Sequence, residues 1–282
     1  MKRSKAAWII TYGILIAWAL ALLFPMYWVV ITSFKSRGAI SGSATFVPWV
    51  DFQPTLQAWR QLLAQNISGW QQYFINSLII SLATATLSSV FGMMSGYALA
   101  RWTRLGPFRS TQFSFLLLGQ RMFPAALLAL PMLIMFQDLR LLDTRLGLII
   151  LYTAFNTPFA VWLLTEFIRS VPVEIEESAM IDGSSRLGVI FRMTLPLVLP
   201  GLIGVFVLVL AAAWNEYFFA LVLTFSESVT VPMFLANQIN QTETVGWWYV
   251  SAIGIMSSLP LIITALLLQR FIQRGLVAGA VK

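Results

Sequence analysis

Long uncharged runs dominate the chain, separated by short polar breaks. From Ala6 to Phe34 there is no charged residue, and Gln61 to Ala100 repeats the pattern. Such runs approach or exceed the ~20 apolar residues that a helix needs to cross a bilayer. The pattern predicts six spans, near 8–31, 74–99, 112–136, 146–168, 200–223 and 250–271. The first run is longer than the ~7–15 residue core of a cleavable signal, so it reads as a span; Pro25 is expected to kink it. The third is interrupted by Arg121, Pro124 and Pro131. Between the first two spans, Thr55 to Ile67 predicts a short amphipathic helix, with Leu56, Trp59 and Leu63 on one face. Trp70, Tyr73 and the Trp247-Trp248-Tyr249 run suit membrane interfaces. Asn66-Ile67-Ser68 matches a glycosylation sequon, a pattern short enough to arise by chance. The fold expected is all-α and integral to the membrane, a single domain over residues 1–282.

In the second span Ser88, Gly92, Gly96 and Ala100 fall four apart, and Ser77, Ser81, Ala85 and Ser89 form another stripe. Small residues at this spacing let helix backbones approach closely. Packing within the bundle is the simpler expectation; lining a pore is the alternative.

Composition supports the membrane reading. The chain has 282 residues, 59% hydrophobic and only 10% charged, against ~25% charged in soluble domains. It has no cysteine and no histidine, which excludes thiol nucleophiles, disulfides and Cys/His zinc sites. None of its four lysines follows a glycine, so no G-x-x-x-x-G-K-[ST] phosphate loop exists. If ATP powers this protein, another subunit binds it. The net charge of +7 comes from residues at the ends of spans and implies no nucleic acid. With the N-terminus inside, Lys2, Arg3, Lys5, Arg101, Arg104, Arg109, Arg169, Arg186, Arg192, Arg270, Arg274 and Lys282 fall on the cytoplasmic side. Lys35, Arg37, Arg60, Arg140 and Arg145 fall outside. That bias puts both termini in the cytoplasm, with outer loops at 35–72, 137–145 and 225–248.

Residues 171–200 then form a cytoplasmic loop. It carries Glu174, Glu176, Glu177 and Asp182, four of only eleven acidic residues. Pro172 suits a first helical position, and the glutamates suit a helix N-terminus. Asp182-Gly183 should end that helix, with Gly183 left-handed, and Ser184 should cap a second. The expectation is a helix–turn–helix that presents its carboxylates and Met180 outward. Leu187, Ile190 and Phe191 would face the membrane domain. A helix that merely anchors the spans on either side is the competing reading.

The loop resembles the EAA loop of ABC-importer permeases: E-A-A, three residues, G, nine residues, I-x-L-P. Here it runs Glu177-Ser178-Ala179, Gly183, then Met193-Thr194-Leu195-Pro196, with Ser178 for Ala and Met193 for Ile. The rest of the chain resembles the carbohydrate branch of that family, the maltose-type second permeases. The matching features are Arg121 with Pro124, Leu141-Leu142-Asp143-Thr144, Asn156-Thr157-Pro158-Phe159, Trp214-Asn215-Glu216-Tyr217 and the tail from Arg274-Gly275-Leu276 to Lys282.

The resemblance implies a permease subunit of a binding-protein-dependent importer, moving a sugar or polyol across a bacterial-type inner membrane by ATP-driven alternating access. Its implied partners are membrane lipid, a second homologous permease in a heterodimer, two ATP-binding subunits that hold ATP and magnesium, and an extracytoplasmic solute-binding protein. This chain itself would bind no cofactor or metal and hold no catalytic residue. Glu177, Ser178, Ala179, Met180, Ile181, Asp182 and Gly183 would couple to the ATPase, with Glu177 as the polar contact, Gly183 as the turn and Met180 and Ile181 as packing residues. Arg121, Asn156, Asn215, Glu216 and Tyr217 are candidates for the translocation path, with a structural ion pair or gate as the alternative. Asn237, Gln238, Asn240 and Gln241, in a loop stiffened by Pro232, offer amides to sugar or to the binding protein. A permease for a non-sugar solute, an ion-coupled transporter and a membrane scaffold stand as alternatives. The scarcity of acidic residues within the spans counts against the ion-coupled reading.

Overall fold

The computed structural model describes residues 5–40, 45–64, 69–102, 104–105, 108–240 and 246–280. Lys2, Arg3, the Asn66-Ile67-Ser68 sequon, the Gly106-Pro107 turn, Gln241 and Lys282 lie outside them. Helices account for nearly all the regular structure. They are α1 (Lys5–Thr32), α2 (Arg37–Ile40), α3 (Gln57–Leu63), α4 (Trp70–Arg101), α5 (Ser110–Gly119), α6 (Ala125–Asp138), α7 (Arg145–Arg169), α8 (Val173–Ile181), α9 (Arg186–Val189), α10 (Leu195–Trp214), α11 (Phe218–Leu223), α12 (Val231–Asn240) and α13 (Trp247–Ala280). A two-residue antiparallel ladder, β1 (Arg104–Leu105) with β2 (Phe108–Arg109), turns the chain between α4 and α5.

Among the described residues, five helices are long and apolar enough to cross a membrane: Trp8–Thr32, Trp70–Arg101, Arg145–Arg169, Arg186–Trp214 and Trp247–Gln269. The third predicted span differs from expectation. Ser110–Met122 and Ala125–Asp138 meet at 87°, so a sixth span exists only if this bent pair is counted as one. The cause is Pro124. Its ring bars the residue before it from the helical region, and Phe123 is accordingly extended at φ −69, ψ 126. By contrast α1 runs on through Pro25.

The chain divides into two compact units: Met1–Gln72 with Phe234–Leu259, and Tyr73–Met233 with Pro260–Lys282. In the first, α3 is shorter than predicted and buries Ala58 and Leu62, while Leu56 and Leu63 are exposed. Only Trp59 of the predicted face turns inward, its ring 6.0 Å from that of Phe34. Lys35 is buried, donating to the Thr45 carbonyl at 2.7 Å and lying 4.3 Å from the Trp28 ring centre.

The second unit is built around α7, which packs on α10, α5 and α11. Gly92 and Gly96 of α4 press against Ala160, Leu164 and Thr165 of α7. A Cβ added at Gly92 would lie 2.8 Å from that of Ala160, so the small-residue stripe serves close helix packing. Ser77, Ser81, Ala85 and Ser88 are also buried. Asn76 meets Arg145 at one end, and Arg101 meets the segment after α7 at the other. The two helices therefore run parallel, and a polar cluster sits at each end of the pair.

Candidate functional site

At one end stands α8. Its first turn follows Pro172, and Gly183 at φ +88 provides the left-handed turn that closes it. Ser185, rather than Ser184, caps α9 by accepting from the Gly188 N–H at 3.2 Å. A π-helical turn, Ile190–Thr194, then joins α9 to α10 without a break. The local geometry is a short helix, a left-handed turn and a second helical segment.

The outward carboxylates do not all match it. Glu174 and Glu177 are exposed, but Glu176 is buried. Successive residues on a helix lie about 100° apart, so neighbouring glutamates face different surroundings. Glu176 Oε1 accepts from Arg101 Nη2 at 2.7 Å and Thr194 Oγ1 at 2.7 Å. Its Oε2 accepts from Arg101 Nε at 3.0 Å and the Tyr97 hydroxyl at 2.9 Å. Arg101 Nη2 also donates to the Val171 carbonyl at 3.1 Å. Burial works to raise the carboxyl's pKa, yet the Arg101, Thr194 and Tyr97 donors outweigh it and hold the group below the usual carboxylate range.

Of the predicted coupling residues, Ala179 also turns inward, leaving Glu177, Ser178, Met180, Ile181, Asp182 and Gly183 exposed. Ile181 is 86% exposed, a large cost for an aliphatic side chain unless something covers it. Leu187 and Phe191 are exposed on their outer sides. They line, with Ile190, a groove of about 530 Å³ shared with Val90, Met93 and Met94 of α4. Only Ile190 reaches the core.

The candidate path residues separate. Arg121 sits at the corner of the bent pair. Its Nη2 donates to Asn156 Oδ1 at 3.2 Å and its guanidinium lies 4.8 Å from the Phe159 ring centre. Asn156 is buried and donates to the Tyr152 carbonyl at 2.8 Å. The fifth predicted span is broken where it was expected to be continuous: Asn215, Glu216 and Tyr217 lie between α10 and α11. Glu216 closes the gap by accepting from the Phe219 and Ala220 N–H groups at 2.9 and 3.3 Å. The Tyr152 hydroxyl is buried and has no hydrogen-bond partner among the described residues. Asn215 is exposed and bonds the Ala211 carbonyl. Arg121 and Asn156 are thus brought together, whereas Glu216 and Asn215 bond within their own turns.

The predicted 225–248 loop contains a helix. Asn237 and Gln238 lie on α12 and are half-buried, and Asn240 is its last residue. Gln238 lines a polar cavity of about 220 Å³ with Arg37, Gln61 and Trp248.

At the other end of α4 and α7, Asp143 carries a cluster that residue reading had noted only as part of a motif. Its carboxylate accepts from four consecutive backbone N–H groups, Phe225 to Ser228, at 2.9–3.1 Å. The Ser226 and Ser228 hydroxyls add two more bonds. Burial again works to raise its pKa, and the four amides outweigh it, holding Asp143 well below the usual range. Beside it, buried Asn76 accepts from Arg145 Nε at 2.7 Å and donates to the Glu227 and Val229 carbonyls. Arg101, Tyr97, Thr194 and Asn76 were not foreseen as site residues. The one signal available was Arg101 closing a forty-residue run without charge, Gln61 to Ala100.

These features define a multi-pass helical membrane protein with a structured polar loop between spans. Comparison with known proteins agrees. Residues 88–277 match the family described as binding-protein-dependent transport system inner membrane component, and the chain belongs to that family. It is 36% identical to the inner membrane ABC transporter permease protein YcjP of Escherichia coli, over 92% of this chain and 91% of that one. It is 34% identical to the trehalose/maltose transport system permease protein MalG of Thermococcus litoralis, over 94% and 93%. Its fold is similar to a crystallised bacterial ABC transporter involved in import of the acidic polysaccharide alginate, with TM-score 0.78 and 24% identity, covering 96% of this chain and 99% of that one.

Proposed function

We propose that this chain is one transmembrane half of an importer that carries a sugar or polyol inward. A second permease, which we take to be non-identical, completes the pathway. Two partner subunits bind ATP with magnesium and hydrolyse it, and an extracytoplasmic protein delivers the solute. Both termini and α8 lie on the cytoplasmic side, in keeping with the Lys/Arg bias. The sugar assignment draws on the trehalose/maltose relative and on the resemblance of the whole chain to the carbohydrate branch.

The observation that carries the reading is the division of α8 into two faces. Glu177, Met180 and Ile181 are exposed together, while Glu176 and Ala179 fasten the same helix to the bundle. An exposed carboxylate beside large apolar side chains suits a partner that offers arginine and a cleft. Glu177 is then the polar contact and Gly183 the turn that fixes the angle. Arg121, Asn156 and Glu216 border the path, with Tyr217 beside them, and α12 presents Asn237 and Gln238 toward the binding protein.

Uptake should be sensitive to vanadate and an ATPase should co-purify. Glu177→Ala and Gly183→Pro should leave the protein inserted while coupled transport is lost. Full solute-stimulated ATP hydrolysis in those variants overturns the reading. Deleting 236–241 should impair delivery from the binding protein, and unchanged uptake makes α12 an ordinary surface. Thermal-shift screening of the binding protein with sugars and polyols names the solute.

A further inference from the structure

We propose that Glu176 is a positioning residue that makes α4 move with α8 and α10 as one body. The proposal rests on reading α8 as the ATPase-docking helix. A nine-residue helix is about 13 Å long and marginally stable alone. A push on its exposed face therefore reaches the bundle only through its points of attachment. Two of these are covalent: Pro172 leads back to α7, and the turn at Gly183 leads on through α9 to α10. The helix α4 has no such link, because Arg101 precedes Glu176 by 75 residues.

The carboxylate supplies it. Arg101 grips both oxygens of Glu176 from the last turn of α4, Tyr97 adds a third bond one turn earlier, and Thr194 ties the same group to the start of α10. Arg101 also holds the Val171 carbonyl at the root of α8. A planar guanidinium on a carboxylate resists rotation as well as separation, which a lever requires. Thr194 is fully buried and Glu176 is 3% exposed, so water cannot easily substitute for a lost donor. Adjacent glutamates thereby divide the labour: Glu177 receives the push, and Glu176 passes it to α4, a helix that the chain does not itself connect to α8.

The test uses the whole transporter reconstituted with its ATP-binding subunits, second permease and binding protein. Solute moved per ATP hydrolysed is read together with the distance between nitroxides at Glu174→Cys and Trp102→Cys, since this chain has no cysteine of its own. In the otherwise unaltered chain the distance should stay single and narrow through the ATP cycle. With Glu176→Gln it should broaden in the ATP-bound state, and uptake per ATP should fall about tenfold, within the range of typical coupling energies. The reversed pair Arg101→Glu with Glu176→Arg should recover part of both. If Glu176→Gln does not assemble, Thr194→Val keeps the shape, removes one of the two bonds to Oε1 and should cost about threefold in the same ratio. A narrow distance and an unchanged ratio in the variants overturn the proposal alone. A native complex without ATP-driven uptake overturns it together with the importer reading.

Discussion

The two ends of the α4–α7 pair solve different problems with the same chemical group. Asp143 spends its carboxylate on four backbone N–H groups of one loop, Phe225 to Ser228. Glu176 spends its own on three side chains from two elements, Tyr97 and Arg101 of α4 and Thr194 before α10. The first arrangement shapes a loop. These four donors are consecutive, carry no charge to exchange and exist whatever the side chains are, and the Ser226 and Ser228 hydroxyls add two neutral bonds. The second holds separate elements together, and each donor is a residue that can be changed. An amide cradle suits a fixed rim, whereas a side-chain node suits a part that must move without coming apart.

The sharpest way to break this contrast is Arg101→Ala. It leaves a buried carboxylate uncompensated, a loss usually worth about 3–5 kcal/mol. The low end applies here because the pair lies at the end of the helices. The thermal midpoint in detergent should fall accordingly, and restoring opposite charges in the reversed Arg101–Glu176 pair should recover part of it.

Asp143→Ala comes next. It orphans several amides that lie partly open to solvent, so about 2 kcal/mol is expected. No second charge substitution should rescue it, because its donors are neutral amides and hydroxyls. Rescue of this variant by a single new acidic residue elsewhere would erase the distinction between the two ends.

Acid should weaken both ends by a smaller amount. Each carboxyl is held below its ordinary value when folded, so the folded state binds its proton more weakly than the unfolded chain does. The stabilisation is complete above the unfolded value near ~4 and is lost as pH falls through the lower folded values. Melting midpoints should be level on this account from neutrality to about pH 5 and should drop below ~4. Asp143→Asn should flatten that drop, and an unaltered profile in the variant would count against the cradle.

Smallest of all, Glu174→Gln should change stability by no more than about 0.5 kcal/mol, since this exposed carboxylate lies on the same helix as Glu176 without sharing its partners. A large effect would mean that exposure does not separate the glutamates of α8.

Much of the architecture was legible in the chain itself. Hydrophobic run length places the spans because lipid offers backbone groups no partner. The turn at Gly183 was readable from residue type, since a left-handed position favours glycine. The spacing from Glu177 to Pro196 sets this loop apart within the sequence. Other features resisted reading. The break at Asn215–Tyr217 is a short polar interruption of a long apolar run, and Glu216 stabilises it through amides three and four residues ahead, a pairing that run length does not record. The corner at Phe123-Pro124 was visible as a proline, but its 87° angle was not.

Local rules, then, determined spans, caps and turns, because run length, proline, glycine and capping side chains act within a few residues of themselves. Tertiary structure decided which of three glutamates on one short helix turns inward, and to whom. That choice depends on Arg101 and Tyr97 arriving from 75 and 79 residues away. A distance of that kind is set by how helices pack, and no spacing within α8 records it.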